Sequence, residues 1–523
     1  MAGTIREVIA LAPEYIIVQG GGEGTRLGNL TRNRPKAIVP VRNRPIIFHL
    51  FEKFPKSKYI IIGDYKYEVL ERYLRNFAPV EYLLIRAESK GNIAGIKKAL
   101  ATMPEGVPFM LIWSDLLLSP AFKVPEYIEA CHVGVFENLP CSWRMEEGRL
   151  EKKATEHGGV AGCFLFDSKG RLEKLAEEGS FTGWLAKSGL PLVPMDMMDS
   201  KEAGTLQALR QLDTLENRCR PYNRMKFVGD RVIKTGLTEE ARKLIDREVN
   251  WYRKVSEYGF DGIPKIYSLT PLTMKKIEGD NIFRAELSEE QKKQTIERLV
   301  GALKKLHDYE KVEPDYFGLE EDYYTKTLKR LHSIREVIPF SSDPYIVING
   351  KVCRNVLCFE DKFEENVRKH LFDADFGPIH GDCTLTNTMI DKEGNIYYID
   401  ARGYFGKREI YGDVYYDWAK LYYSISGRFD RFNVKDFKLE IGEKEVCFEI
   451  ADSGWSHLTE FFLSKIEDCN LSKIKLIHAI VWMSLASHCW EDYDSMCLAF
   501  YNGIWLWNDW MENYETDSNV NIG

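Results

Sequence analysis

Tyr15–Val41 reads YIIVQGGGEGTRLGNLTRNRPKAIVPV. Tyr15–Gln19 is an apolar, β-branched run that glycines stop abruptly, the pattern of a buried parallel strand entering a phosphate-binding loop. Glycines let the backbone approach phosphate oxygens and aim N–H groups at them. Here Gly21, Gly22, Gly24 and Thr25 are the candidate nucleotide-binding positions. Arg26 supplies a fixed cation for a triphosphate. Lys36, behind Pro35, is a second cation, suited to an acceptor phosphate or to charge developing in a transition state.

Outward from this loop, Tyr59–Gly63 (YIIIG), Tyr82–Ile85 (YLLI) and Phe109–Trp113 (FMLIW) repeat the buried-strand pattern. Helical patterns at Lys66–Phe77 and Ile93–Ala101 fall between them. This alternation predicts an α/β domain with a mostly parallel sheet. Ligands in such sheets bind beyond the carboxyl ends of the strands. The glycine loop after Gln19 and Asp115 after Trp113 both fall there.

With 523 residues the chain has room for two to four domains at roughly 150 residues each. Its formal net charge of −8 argues against nucleic acid as the main partner, which would need a basic face. Eleven cysteines without C-x-x-C pairs read as reduced thiols in a cytoplasmic protein. The first residues, MAGTIREVIALAPEY, lack the pattern of a signal peptide, and no apolar run reaches membrane-spanning length.

After Leu206 the character changes. Arg210–Met225 is polar, carries Pro221 and reads as a linker. This sets the expected domains at 1–212 and 213–523, the second with a small lobe at about 224–282 and a helical large lobe at about 283–523. Met225–Lys234 (MKFVGDRVIK) predicts a hairpin turning at Gly229-Asp230. Glu239–Tyr258 predicts a helix, and Leu272–Ile277 a strand. From Ser288 the pattern is mostly helical, with helices at Glu289–His307 and Tyr323–Val337. It returns to strands around a second signature, His380–Gly403, HGDCTLTNTMIDKEGNIYYIDARG. In that string Asp382 is placed to orient and deprotonate an attacking hydroxyl, while Asn387 and Asp400 are candidate metal ligands. Ile477–Tyr514 is helical and rich in tryptophan. Trp482, Trp490, Trp505, Trp507 and Trp510 read first as packing core and second as cation–π partners for a choline-like substrate.

The first signature resembles that of the sugar-phosphate nucleotidylyltransferases, GGxGTRLxPLTxxxPKxxxPV, with Asn29 in place of a proline. The resemblance runs through most of residues 14–210. It implies a nucleotide-binding (GT-A-like) α/β fold and transfer of a nucleotidyl group to a phosphorylated acceptor with release of pyrophosphate. The family includes phosphocholine cytidylyltransferases, so the acceptor need not be a sugar. The resemblance implies Mg²⁺ held by Asp115 and Glu202. Asp115 follows Ser114 where glycine is common, and Glu202 stands where aspartate is usual. It also implies an acceptor-phosphate lysine at Lys152, in Leu150-Glu151-Lys152. Gly91–Gly95 (GNIAG) takes the place of a base-contacting loop but departs from it at Asn92-Ile93.

The second signature resembles the aminoglycoside phosphotransferase and choline kinase superfamily over roughly residues 224–510. His380-Gly381-Asp382 with Asn387, then Ile399-Asp400, matches H-G-D-x-x-x-x-N and a later I-D. Gly412-Asp413 to Asp417-Trp418-Ala419-Lys420 matches a following G-D-x-x-x-D-x-A-x. The fold implied is α+β and protein-kinase-like. Lys234 would reach the α/β-phosphates, Glu248 would hold Lys234, and Met274–Gly279, including Lys276, would form the hinge that meets adenine. His380 is expected to support the loop. Asp413 and Asp417 could bind substrate or brace the loop, and bracing is favoured.

Together these readings describe a bifunctional transferase. ATP would phosphorylate a small sugar or amino alcohol. CTP, UTP, GTP or dTTP would then activate the product as an NDP-sugar or CDP-choline-like donor for surface polysaccharide or lipid decoration. Two alternatives stay open: one active centre with a regulatory partner domain, or a nucleotide-binding scaffold without catalysis. The sequence leaves open whether the chain forms a homo-oligomer.

Overall fold

The structure, a computed structural model, describes residues 12–87, 91–128, 130–212 and 223–515. The chain divides into two compact units, Met1–Arg218 with Glu491–Tyr493, and Cys219–Trp490 with Asp494–Gly523. Of the expected linker, 210–212 closes the helix Leu206–Leu212 and 223–225 opens the strand Asn223–Val228. The boundary expected at 212/213 and residues 213–222 lie outside the described residues.

In the first unit Tyr15–Gln19 pairs in parallel with Lys58–Gly63 on one side and Phe109–Trp113 on the other. Lys58–Gly63 pairs in parallel with Tyr82–Arg86. Ile16, Ile17 and Val18 are all fully buried, as a strand covered on both faces requires. Helix Ile93–Ala101 packs on the face of Ile17, Ile60 and Ile62. Helix Ile46–Lys53 covers the other, where Phe51 meets Tyr59 edge-on at 4.8 Å between ring centroids. The sheet then extends by antiparallel pairing through Gly159–Phe166 beside Phe109–Trp113. The four strands read from the sequence form the parallel half, and its carboxyl ends carry the glycine loop and Asp115.

The second unit opens with a four-stranded antiparallel sheet containing the predicted hairpin, Asn223–Val228 with Arg231–Gly236. Helix Glu239–Glu257 follows. Thr238 caps it by accepting from the Ala241 amide at 3.2 Å, and Glu239 and Glu240 sit in its first turn. Helix Glu289–His307 starts with a capping box of Ser288 and Gln291. The expectation that strands return only around the second signature is corrected. A separate four-stranded sheet is built from Tyr345–Ile348, Lys351–Arg354, Phe437–Ile441 and Glu445–Ile450. Its members are short, and two of them lie far from the others in sequence, so local periodicity does not reveal the pairing. Trp482, Trp507 and Trp510 are fully buried. They are core, as the first reading held. Among the described residues, no helix is long and apolar enough to cross a membrane.

Candidate active sites

In the first unit the loop after Gln19 turns on Gly24, whose φ of +70° lies in the left-handed region that favours glycine. Leu27, fully buried among Val39, Val41 and Ala203, anchors the loop from behind. Gly22, Thr25 and Arg26 are exposed. Among the described residues, no group of the protein accepts from the amides of Gly21, Gly22, Glu23 or Gly24. Gly22 and Glu23 are exposed, so these amides are open to water or to an anionic ligand.

Asp115 and Glu202 lie far apart in sequence and are brought together by a short antiparallel ladder. Leu116–Leu117 pairs with Lys201–Glu202, placing Glu202 opposite Leu116, and the Ala203 amide donates to the Asp115 carbonyl at 2.8 Å. The convergence is tight at Gly204. A Cβ there would sit 2.7 Å from Asp115 Oδ2, 2.8 Å from Glu202 Oε1 and 3.1 Å from Arg26 Nη2. Arg26 Nη2 lies 3.3 Å from Glu202 Oε1, and Lys36 Nζ pairs with Asp115 Oδ2. Burial, then the Asp115 charge, raises the Glu202 carboxyl above its usual range. Gly204 belongs to the stretch Glu202-Ala203-Gly204-Thr205, which resembles an Asp-x-Gly-Thr element, but the sequence alone assigns it no role.

Among the described residues, neither of two further expected contributors forms an ion pair or hydrogen bond with these groups. Lys152 is exposed just beyond the strand Arg149–Glu151 and, among the described residues, makes no ion pair or hydrogen bond. In the GNIAG segment, Asn92 Oδ1 accepts from the Phe181 amide at 2.8 Å. A Cβ on Gly95 would lie 2.6 Å from Ile62 Cγ2. Both residues therefore hold the helix against its neighbours.

In the second unit Lys234 Nζ lies 2.7 Å from Glu248 Oε2 and 2.6 Å from Asp400 Oδ1. Glu248 occupies the buried stripe Ala241, Ile245, Glu248, Tyr252, Val255 of its helix, a carboxylate where periodicity calls for an apolar residue. Burial, offset only in part by Lys234, raises Glu248 to about 7. Burial pulls Lys234 down, but Asp400 and Glu248 outweigh it and hold the ammonium above its usual value.

The catalytic-loop residues meet through a hairpin. Thr388–Asp391 pairs with Ile396–Tyr398, and the Ile399 amide donates to the Asn387 carbonyl at 3.0 Å, so Asn387 and Asp400 flank its base. Asn387 Nδ2 donates to Asp382 Oδ2 at 2.8 Å, leaving the side-chain oxygen as its acceptor. Asp400 has a φ of +57°, a strained conformation for a non-glycine residue and of the kind found at functional positions. Lys420 Nζ lies 2.8 Å from Asp382 Oδ1. Lys420 was quoted in the sequence pattern without a role, because nothing local links it to Asp382.

His380 is fully buried and structural. Its Nδ1 accepts from the Asp382 amide at 3.2 Å, which leaves Nε2 to donate to the Ile399 carbonyl at 3.1 Å. Asp417 accepts from the amides of His380 and Gly381 at 2.8 and 2.7 Å. Asp413 accepts from the Tyr323 hydroxyl and the Tyr415 amide at 2.9 and 3.0 Å. Both carboxylates are fully buried; Asp417 braces the loop directly, whereas the bonds of Asp413 go to Tyr323 and to the start of its own helix. The Lys276 amide donates to the Asp230 carbonyl at 2.7 Å, and its ammonium lies 3.4 Å from Glu278. The amide and the ammonium of Lys276 thus each have a partner within the small lobe.

Comparison with known proteins followed the same division. Residues 15–126 match the model of the nucleotidyl transferase family, and residues 221–434 match that of the phosphotransferase enzyme family. A bifunctional protein GlmU from Methanocaldococcus jannaschii is 32% identical over 105 residues, 19% of this chain and 24% of the relative. Mannose-1-phosphate guanylyltransferase 1 from Arabidopsis thaliana is 24% identical over 192 residues, 35% of this chain and 50% of the relative. The chain therefore spans a quarter to a half of the length of these relatives. Among solved structures, the inositol-1-phosphate CTP transferase from T. maritima aligns at 19% identity with a TM-score of 0.33, covering 38% of this chain and 93% of that one. The CTP:phosphocholine cytidylyltransferase of Streptococcus pneumoniae aligns at 18% identity and 0.31, covering 39% and 98%. The chain joins, on one polypeptide, a segment that matches the nucleotidyl transferase family model to a segment that matches the phosphotransferase enzyme family model.

Proposed function

We propose that the chain is a bifunctional enzyme that phosphorylates a small hydroxyl compound with ATP and then couples a phosphorylated acceptor to a nucleoside triphosphate. The observation that carries this reading is that each unit gathers its own set of converging cations and carboxylates. Lys234, Glu248 and Asp400 assemble with Asp382 and Asn387 in one, and Arg26, Lys36, Asp115 and Glu202 assemble in the other.

In the phosphotransferase unit Lys234, fixed by Glu248, would hold the ATP phosphates. The acceptor hydroxyl oxygen attacks the γ-phosphorus, the bond to the β-bridging oxygen breaks, and Asp382 takes the hydroxyl proton. In the nucleotidyl transferase unit the open amides and Arg26 would cradle the triphosphate. An acceptor phosphate oxygen attacks the α-phosphorus and pyrophosphate leaves. No covalent enzyme intermediate is required, since positioning and charge do the chemistry.

Both families use nucleoside triphosphates with Mg²⁺, and the residues present fit that ion. Asp115 and Glu202 in one unit, and Asn387 and Asp400 in the other, are hard oxygen donors. Among the described residues, no group of three or more His, Cys, Asp or Glu side chains is placed to hold a metal, so the remaining ligands would come from triphosphate oxygens and water. Bound there, Mg²⁺ would neutralise charge on the phosphates. Lys36, paired with Asp115, already places a cation against that carboxylate.

The test uses two variants of the full chain, with products read by mass spectrometry. Asp382→Ala should abolish ATP-dependent phosphorylation while transfer to a supplied phosphorylated acceptor persists. Asp115→Ala should do the reverse. Loss of both activities from either change would overturn the assignment of two independent centres.

A further inference from the structure

Beside Asp382 the phosphotransferase unit carries a group of cations, partly buried except for the exposed Arg247, that the two-step reading does not use. Arg402 lies two residues after Asp400. Its amide donates to the His380 carbonyl at 2.9 Å, and its Cβ would lie 2.9 Å from a Cβ at Gly381, so it packs directly under the catalytic loop. Its guanidinium stacks over Tyr404 at 4.4 Å and Tyr416 at 5.2 Å. Tyr404 draws two more cations, Arg247 at 4.3 Å and Lys326 at 5.7 Å. Lys420, on Asp382 itself, adds another, largely buried.

The carboxylates do not match this number. Asp322 alone serves both Arg402, at 2.7 Å, and Lys326, and its other oxygen accepts from the Gly406 amide at 2.7 Å. Among the described residues, no carboxylate forms an ion pair with Arg330 or Arg247. Arg330 donates to the hydroxyl and carbonyl of Ser484. The crowding registers on the groups themselves. Burial first, then Arg402 and Arg330, push the Lys326 ammonium down to about 6, so an anion bound beside it would be what keeps this amine charged at neutral pH. Burial works to raise the Tyr404 hydroxyl, yet Arg402, then Arg247 and Arg330, bring it below its usual value. Taking like charges out of water together is costly unless an anion completes the set. A site for a choline-like or aminoglycoside-like cation would need the opposite sign.

We propose that the acceptor of the phosphotransferase unit is an anionic hydroxyl compound, a phosphorylated or carboxylated sugar or polyol, whose anionic group is held by Arg402, Lys326 and Arg330 while its hydroxyl faces Asp382. This rests on the phosphotransferase reading above. Planar guanidinium groups suit both phosphate and carboxylate. Held there, the acceptor presents a hydroxyl oxygen to the γ-phosphorus. Its proton passes to Asp382, the bond to the β-bridging oxygen breaks, and ADP leaves.

The test measures acceptor-stimulated ADP release by the full-length protein with ATP and Mg²⁺. Glucose, mannose, ribitol and glycerol are each offered as the free alcohol, as its monophosphate and as the corresponding acid, with choline and ethanolamine as cationic members. The phosphate and acid arms separate the two kinds of anion. The anionic members are expected to act at a KM about tenfold or more below their neutral parents. Lys326→Met and Arg330→Gln are expected to raise that KM about tenfold or more, with kcat and the KM for ATP little changed. Equal or better stimulation by neutral or cationic members, a comparison needing no variant, would overturn the proposal. So would a rise in the KM for ATP with every acceptor, which would make the cluster part of the nucleotide site. If no acceptor of any charge stimulates ADP release and Asp382→Asn changes nothing, the underlying phosphotransferase reading fails, and the proposal fails with it.

Discussion

Gly204 shows how much a single residue without a side chain can control. The point its Cβ would occupy lies within hydrogen-bonding distance of two carboxylates, and within 3.1 Å of the Arg26 guanidinium. A methyl group there would displace the carboxylates from one another and fill space that a triphosphate and its cation require. Gly204→Ala is therefore expected to lower kcat/KM for nucleotidyl transfer by about a hundredfold, while ATP-dependent phosphorylation stays at the wild-type rate. Measuring both activities on the same preparation checks this, and an undiminished transfer rate would contradict it. Glu248 makes the complementary point. It could be found in the sequence because it interrupts an apolar stripe, and it meets Lys234 from the neighbouring strand. Lys420 could not be found that way. Its partner Asp382 lies 38 residues earlier, across a hairpin and a turn of irregular chain.

At the scale of elements, helix Leu471–Leu485 is buried almost all round, and His478 lies within it. Trp482 Nε1 donates to His478 Nε2 at 3.0 Å, so that nitrogen must be unprotonated. Burial, then Lys475 and Lys420, push His478 down from 6.5 to about 3. Its folded-state pKa is depressed, so the unfolded chain binds a proton that the folded chain does not. Stability is thus fully present above pH 6.5 and declines as pH falls from there toward 3, by about 1.4 kcal/mol per pH unit from this group. His478→Gln keeps an acceptor for Trp482 and does not titrate. Its unfolding temperature is expected to fall less than that of the wild type between pH 6.5 and pH 4, as followed by circular dichroism. Parallel acid limbs would show that His478 is not the group responsible. The same core explains why the tryptophans are packing residues: Trp482 meets Tyr423 and Phe432 edge-on at 5.1 and 5.0 Å between ring centroids.

At the scale of the whole molecule, two centres with separate leaving groups should respond to different products. Pyrophosphate is expected to inhibit nucleotidyl transfer competitively with the nucleoside triphosphate while phosphorylation keeps most of its rate. ADP should do the opposite. Initial rates for each half-reaction, with the other substrate withheld, check this. Strong inhibition of both by either product would mean one shared nucleotide site. The fold of each unit was legible because both depend on local patterns. Continuous apolar runs become strands covered on both faces, and glycine or H-G-D strings stand at their ends. The sheet built from Tyr345–Ile348, Lys351–Arg354, Phe437–Ile441 and Glu445–Ile450 was not legible, since residues 355–436 separate its two halves.

The sequence by itself determined the two family resemblances, because glycine loops and H-G-D strings are contiguous and their residue types are dictated by charge and backbone freedom. It also placed Asp382, Asn387, Asp400, Lys234 and Glu248 on the elements where they are found. Only the tertiary structure decided which side chains share a point in space. It brought Glu202 to Asp115 through a two-residue ladder, left Lys152 in solvent, placed Lys420 on Asp382, and gathered Arg402, Lys326 and Arg330 beside the loop. The physical reason is range. Periodicity and turn chemistry act over a few residues, whereas the Coulomb interactions that set the character of an acceptor site act through space between residues that the fold alone makes neighbours.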